Sequence, residues 1–412
     1  MGVKRGFTEP KRGFDAVVGV AKVRLGMAFC TCGLEPHRSA RERLRRNSMV
    51  DPSLCESHRT LREPFFSICI PQYNRTDFLI AACESFASQK FRDFEVCISD
   101  DCSNDGKERL LLDHLGRLSL SFVYSRNQSN LRYDANLRNA ISLSKGKYLL
   151  LMGNDDALSD SDVLQSIHDE LVRFEPVAAA ITNYRELTSG KIYRRMTTAG
   201  VLGCGPYVAV LNFRNYSFLS GVILGGDEAR KCATEAVDGS EMYQMFLGTR
   251  LIAAGGRLLA IDRVCINKDV KVPGQVVDSY RTKPRLVSRP ILERPLPMGR
   301  LLEVVAAGLD PHHEGADRQA NLLRVAGQLY RFTYPFWIVE YRRVQSWRYA
   351  LGVFLALRPT RITEGLSLSR SVNLRLWVSY MVGGLVALSI PIGAFDALRP
   401  HFYSLAKRIH IL

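Results

Sequence analysis

Two adjacent carboxylates, Asp155 and Asp156, follow the apolar run Tyr148 to Met152 and the turn formers Gly153 and Asn154. Paired carboxylates are hard oxygen donors that suit a divalent cation, and about five apolar residues bounded by turn formers are the pattern of a buried strand. The same stretch also suits an acidic turn into a helix, with Asn and Asp chosen for turn geometry. Two more polar clusters of this kind occur upstream. Gln72, Tyr73, Asn74 and Arg75 follow a run from Phe66 to Ile70 that Pro71 closes, and Asp100, Asp101, Cys102 and Ser103 follow a run from Phe94 to Ser99.

Positioning these clusters requires a particular order of elements. Between the strand-like runs lie helical periods: Thr76 can cap a helix that buries Leu79, Ile80, Cys83, Phe86 and Ala87, Ser103 to Leu115 forms a short helix, and Tyr133 to Leu143 another. Leu120 to Tyr124 is a third strand and Tyr148 to Met152 a fourth. Ser159 opens a helix with Val163, Ile167 and Leu171 on one face, before a fifth strand at Ala178 to Thr182. Strands separated by helices of ten or more residues imply βαβ units, a mainly parallel sheet flanked by helices, and right-handed crossovers. The strand ends then share one edge, so an aromatic, an arginine and two acidic pairs converge where open α/β sheets bind ligands.

The stretches SICIPQYNR (67–75), ISDDCSNDG (98–106), NLRYDANLRNAI (130–141) and GKYLLLMGNDDAL (146–158) resemble, in order and spacing, the family 2 glycosyltransferases of the GT-A fold, and among them the bacterial enzymes that build O-antigen and other surface polysaccharides. The resemblance covers about residues 64 to 270. It implies a nucleotide-diphosphate sugar donor and Mn²⁺ or Mg²⁺ between the donor phosphates, and a saccharide acceptor that is lipid-linked is expected from the apolar C-terminal stretch Leu376 to Phe395. Carried onto this sequence, it places Pro71, Tyr73, Arg75, Asp100, Asp101, Arg132, Asn154 and Asp155 around the donor, with Tyr73 against the base, Asp100 accepting its N–H, and Arg75 and Arg132 near phosphate. The residue types agree: an aromatic face beside one acceptor suits uracil or a similar base, and a guanidinium grips a diphosphate. Asp156 and Asp155 are the expected metal ligands. Gly153 stands where the family's metal motif has its first Asp, so the cation is expected to bind weakly to the protein alone and firmly only with donor.

The family is inverting, and a single displacement needs one base for the acceptor hydroxyl. Asp238 and Glu241 are the candidates, both ahead of the helical run Met242 to Ala254, whose N-terminal dipole favours an ionised carboxylate. Ser220 and Gly221 line either the acceptor side or the core. The alternatives to a hexosyl or deoxyhexosyl transferase are a nucleotidyltransferase, for which Gln72 to Thr76 offers no triphosphate loop, and a non-catalytic relative that binds nucleotide sugar or membrane as a scaffold.

The whole chain sets bounds on these readings. An apolar share of 46% with 24% charged residues excludes a disordered chain, and the net charge of +15 sits on the two flanks while the middle is slightly acidic. Basic flanks next to apolar segments fit an anionic membrane surface better than nucleic acid. The ten cysteines are scattered, Cys69, Cys97 and Cys265 within strands, which points to buried thiols and a reducing compartment. Cys30 and Cys32 lack a second pair at zinc spacing. Residues 1–60 read as a basic, disordered extension with a cluster at Arg41, Arg43, Arg45 and Arg46, and the natural start is expected at Met49. Residues 61–275 form the GT-A domain and 276–412 a helical region, with helices at Leu301 to Ala307 and Ala320 to Leu329. Leu376 to Phe395 is an uncharged stretch expected to associate with the cytoplasmic face of the inner membrane as a helix or re-entrant hairpin.

Overall fold

Alternating burial along the strands divides the centre of the molecule into two apolar faces. In the computed structural model, which describes residues 50–58, 63–275, 297–309, 315–398 and 401, the first half runs β1 (Val50–His58), β2 (Phe66–Gln72), α1 (Thr76–Ala87), β3 (Phe94–Asp100), α2 (Glu108–Arg117), β4 (Phe122–Asn127), α3 (Arg132–Leu143), β5 (Tyr148–Leu151), β6 (Ala157–Leu158) and α4 (Val163–Arg173). It continues with β7 (Ala179–Glu186), β8 (Ile192–Tyr193), β9 (Gly200–Gly203), α5 (Gly205–Asn212), β10 (Val222–Gly225), α6 (Gly226–Lys231), α7 (Tyr243–Ala253) and β11 (Leu258–Lys268). The sheet order is β1-β4-β3-β2-β5-β10-β7-β11-β6, with β8 on β7 and β9 on β11.

The sheet is mixed. β4, β3, β2 and β5 are parallel, as are β7 and β11, but β10 runs antiparallel between β5 and β7. Val222 pairs with Leu151, so the chain enters β10 from the carboxyl edge of the parallel strands, which brings Ser220 and Gly221 to that edge. The strand order reverses beside β2, with β3 and β4 on one side and β5 on the other, and this creates the crevice expected of a doubly wound sheet.

Ile68, Ile70, Val96, Ile98, Leu150 and Ile223 face α1, α2 and α4. Cys69, Cys97, Leu149, Leu151, Val222 and Leu224 face α3, α5 and α7. Each such leucine is fully buried and contributes roughly 2 kcal/mol. The second face runs without a break into α8 (Leu301–Leu309), α9 (Gly315–Gln328), α10 (Tyr334–Val344), α11 (Trp347–Ala356), α12 (Pro359–Ile362) and α13 (Arg370–Ser389), with α8 packed on α7. Tyr330, Tyr334, Phe354 and Tyr380 form its aromatic centre. Cys69, Cys97 and Cys265 are buried and in no disulfide.

Several local expectations need correction. The extension reaching to residue 60 contains β1, which pairs antiparallel with β4, with a register irregularity between Val50 and Cys55 next to Pro52. Thr76 is the first residue of α1 rather than its cap. Arg75, left-handed at φ 58, holds that position, and the Thr76 N–H donates to Asp105 Oδ2 at 3.1 Å. Residues 103–107 stay out of α2 because their polar groups tie neighbouring loops together. The uncharged stretch 376–395 is not one helix: α13 ends at Ser389, Pro391 follows, and a helix resumes over 392–398. Cys30, Cys32, the cluster from Arg41 to Arg46 and the start at Met49 lie outside the described residues.

Candidate active site

The loops after β2, β3 and β5 are bound to one another, as convergence on one edge requires. The Asn74 N–H donates to Ser103 Oγ at 2.7 Å and the Asn104 N–H to Asn74 Oδ1 at 2.8 Å, joining the first two. Gln72, fully buried at the end of β2, accepts from Asn154 Nδ2 at 2.7 Å and donates to the Asn74 carbonyl at 2.8 Å, joining the first and third. Arg75 pairs with Asp155 at 2.8 Å and lies 4.7 Å from the Phe78 ring centroid. Asn74 and Arg75 are both left-handed, a conformation that L-residues hold only when the surroundings enforce it.

Donor residues named from the sequence separate into two groups here. Tyr73 is 44% exposed at the mouth of the crevice, Pro71 pairs with Ser99 in the ladder beneath it, and Arg132 is exposed with left-handed backbone at the start of α3. The two aspartates at the end of β3 are buried. Asp100 accepts from the Ser103 N–H at 2.7 Å with Arg126 3.6 Å away, and burial raises its pKa. Asp101 accepts from the Leu131 and Arg132 N–H groups at 2.7 and 2.8 Å and from Asn127 Nδ2 at 3.1 Å. It satisfies orphan donors at the start of α3, so its carboxylate positions Arg132 instead of facing the crevice.

Asp155 and Asp156 do form part of a cation-ready cluster, together with Asp269, which the sequence reading passed over. One ligand oxygen from each lies within 4.8 Å of the others. Asp156 is buried, accepts from Ser220 Oγ and from the Asp269 N–H at 3.0 Å, and has its pKa raised by burial and by Asp155. Asp269 is itself buried and left-handed, and pairs with Lys268 at 2.5 Å, which also pairs with Glu186 at 3.0 Å. Three carboxylates thus face two cationic side chains, Arg75 and Lys268. Oxygen donors in this number fit Mg²⁺ or Mn²⁺. A Cβ built on Gly153 would stand 3.0 Å from Asp156 Oδ2, 3.2 Å from Asp155 Oδ1 and 3.3 Å from Ser220 Oγ. The position that carries the first Asp of the family motif is therefore tight, and the third carboxylate comes from Asp269, the residue after β11. The signal in the sequence was Lys268-Asp269 directly after the strand-like run LLAIDRVCIN, the same punctuation as at Asp155.

The second half supplies the base candidates. Asp134 on α3 is buried, with its pKa raised by burial, and accepts from the Glu241 N–H at 2.8 Å and the Tyr243 N–H at 3.0 Å. It thereby caps α7 from a neighbouring helix and holds Glu241 at φ 59. One turn on, Arg138 clamps Asp238 with both nitrogens, at 2.5 and 2.9 Å. The clamp fixes the orientation of the Asp238 carboxylate while each oxygen keeps a further lone pair, so Asp238 and Glu241 both stay candidates for the base. Gln244 accepts from Tyr133 Oη at 2.9 Å, and Ser220, left open between acceptor side and core, belongs to the carboxylate cluster.

Comparison with known proteins matches residues 67–228 to the family model Glycosyl transferase family 2. The chain is similar to the abequosyltransferase RfbV of Salmonella typhimurium, 38% identical over 107 residues that cover 25% of this chain and 32% of that protein. It is similar to the chondroitin synthase of Escherichia coli, 30% identical over 132 residues, 32% of this chain and 19% of that one. The matches thus span about a third or less of these relatives. Among solved structures, S. aureus TarS 1–349 in complex with UDP-GlcNAc superposes with a TM-score of 0.54 at 16% identity, covering 78% of this chain and 90% of that one. That likeness places the fold in the GT-A class.

Proposed function

We propose that this chain, whose residues 67–228 match the model of glycosyl transferase family 2, is an inverting glycosyltransferase that moves a hexosyl or deoxyhexosyl unit from a nucleoside-diphosphate sugar to a lipid-linked saccharide in surface polysaccharide assembly, working at the cytoplasmic face of the inner membrane. The observation that supports this reading best is the meeting of Arg75, Asp155, Asp156 and Asp269 at the switch point beside β2, next to an exposed Tyr73. An aromatic face, a guanidinium and a carboxylate cluster suit the base, the diphosphate and a cation, in that order.

Tyr73 covers the base, with Asp100 as the adjoining acceptor, while Arg75 and Arg132 draw in the diphosphate. Asn154 holds the β2 and β5 loops at fixed spacing through Gln72. Asp155, Asp156 and Asp269 would hold a divalent ion, which would supply charge neutralisation at the leaving diphosphate. The acceptor oxygen forms its bond to the anomeric carbon as the carbon–phosphate-oxygen bond breaks, the bonding pair leaves with the nucleoside diphosphate, and the hydroxyl proton passes to a carboxylate. Glu241 or Asp238 takes that role.

The test is a panel of UDP, GDP, CDP and dTDP sugars with Mn²⁺ or Mg²⁺ and membranes as acceptor source. Nucleotide release by the wild type but not by Asp156→Asn is the expected result. Release unaffected by Asp156→Asn would sink the reading, and silence across the panel would favour the non-catalytic scaffold.

A further inference from the structure

We infer that the outer face of α13 docks in the plane of a membrane rich in anionic lipid, with the helix lying on the bilayer and not crossing it. This deepens the membrane placement proposed above by naming the surface and its orientation. Leu374, Val378, Met381, Val382, Leu385 and Val386 are 39 to 66% exposed. At 100° per residue they fall on one side of the helix and extend about 18 Å along it. Arg375 is exposed on the same side at the N-terminal end, and Ser371 and Ser389 close the stripe. Six large apolar side chains in one unbroken exposed row mark an interaction surface.

The opposite face shows why the helix stays on the surface. Leu376, Tyr380, Gly384 and Ala387 are buried, and Tyr380 Oη donates to the Phe354 carbonyl at 2.8 Å. Gly383 and Gly384 have no room for a side chain: a Cβ would stand 2.6 Å from the Tyr330 carbonyl oxygen in the first case and 2.3 Å from Tyr334 Oη in the second. The two glycines that interrupt the apolar sequence are thus what allows α13 to press onto the aromatic centre. That packing continues through α10 and α8 into the core behind the sheet. A helix of 20 residues could cover about 30 Å of hydrocarbon, but crossing would tear this face from the fold.

Charge selects the partner. α13 carries Arg370 and Arg375 and no acidic residue, Arg375 lies on the side of the apolar row, exposed Arg348 and Arg361 stand on α11 and α12, and Asp396 in the short helix after α13 is paired with Arg343. Arginines beside an apolar row fit headgroup phosphates above acyl chains. A second copy of the chain fits less well, since a row one helix wide falls short of the roughly 800 Å² per partner that a stable dimer needs.

The experiment is flotation of the full-length protein with vesicles of equal parts phosphatidylcholine and phosphatidylglycerol, against phosphatidylcholine alone, in the absence of donor and acceptor. Wild type is expected to float with the anionic vesicles, less so at high salt, and to be released by alkaline carbonate. A Val378→Asp, Leu385→Asp double variant with unchanged circular dichroism is expected to bind at least about tenfold more weakly. Failure of the wild type to float, flotation of the double variant equal to wild type, resistance to carbonate, or a dimer that the double variant dissociates would each overturn the inference. Because no turnover is read, such a failure leaves the transfer reaction standing.

Discussion

At the carboxyl ends of the strands, Asn74, Arg75, Cys102, Arg132, Glu241 and Asp269 all hold left-handed backbone, whereas among the described residues after 297 the only positive φ belongs to Gly365. The first region buries Asp100, Asp101, Asp134, Asp156 and Asp269, and the second buries tyrosines, leucines and valines. Left-handed non-glycine residues and buried carboxylates are held only where the surroundings over-determine them. The comparison teaches where the molecule places its stability and where it draws on it: the helices behind the sheet and the two apolar faces supply it, and the crevice uses it to hold charged groups ready.

Substitutions can break that contrast. The largest effect is expected at the carboxylate cluster, where Asp156→Asn lowers transfer by about a thousandfold yet leaves the melting temperature of the metal-free protein equal or higher, because burial and Asp155 already oppose its charge. A fall in melting temperature with activity retained would show Asp156 to be structural. Next comes Tyr330, fully buried with its hydroxyl on the Leu357 carbonyl at 2.9 Å. Tyr330→Ala is expected to remove about 3 to 4 kcal/mol in denaturant unfolding, while any protein that remains folded binds donor as the wild type does.

Arg75 offers a change with two opposite readouts. It pairs with Asp155 and is partly exposed, so Arg75→Gln is expected to tighten Mn²⁺ binding to the empty protein by about five- to tenfold, a figure kept small for solvent screening. The same change weakens the donor by at least about tenfold through loss of the guanidinium. Calorimetric titration of each ligand checks both, and tightening or weakening of the two together would dissolve the idea that Arg75 alternates between Asp155 and phosphate.

How much of this was legible in the sequence follows from the range of each interaction. The clusters after β2, β3 and β5 were readable because local punctuation lies within about two residues of each strand end: Pro71 pairs in the ladder one residue before β2 ends, Asp100 is the last residue of β3, and Gly153 follows β5. Asp269 was not, because its place depends on β11 pairing with β7 and on β6 returning to β11, both remote in sequence. Asp101 was expected beside the donor and Asp134 was not singled out, and only the packing of α3 reveals that both cap helix starts across loops. β1 was hidden by Pro52 and by the lack of apolar alternation. In α13 the apolar residues surround the helix, so composition gave the membrane expectation without saying which face stays inside.

The smallest effect tests the contrast most directly, since the same residue is placed in both regions. Cys102 is left-handed at φ 60, and its sulfur has only long contacts, 3.8 Å to the Gln128 carbonyl and 3.9 Å to Arg126. Glycine there removes a left-handed penalty of about 1 to 2 kcal/mol and adds about 0.5 to 1 kcal/mol of unfolded-chain entropy. Cys102→Gly is therefore expected to stabilise the protein by about 0.5 kcal/mol. Ala350 lies fully buried within α11, where a helix already suits the residue, and Ala350→Gly is expected to cost about 1 kcal/mol. Urea unfolding of the two variants side by side reads the difference in sign. Equal losses would mean that the loop after β3 holds no strain for glycine to relieve, and that the crevice is as relaxed as the helices behind it.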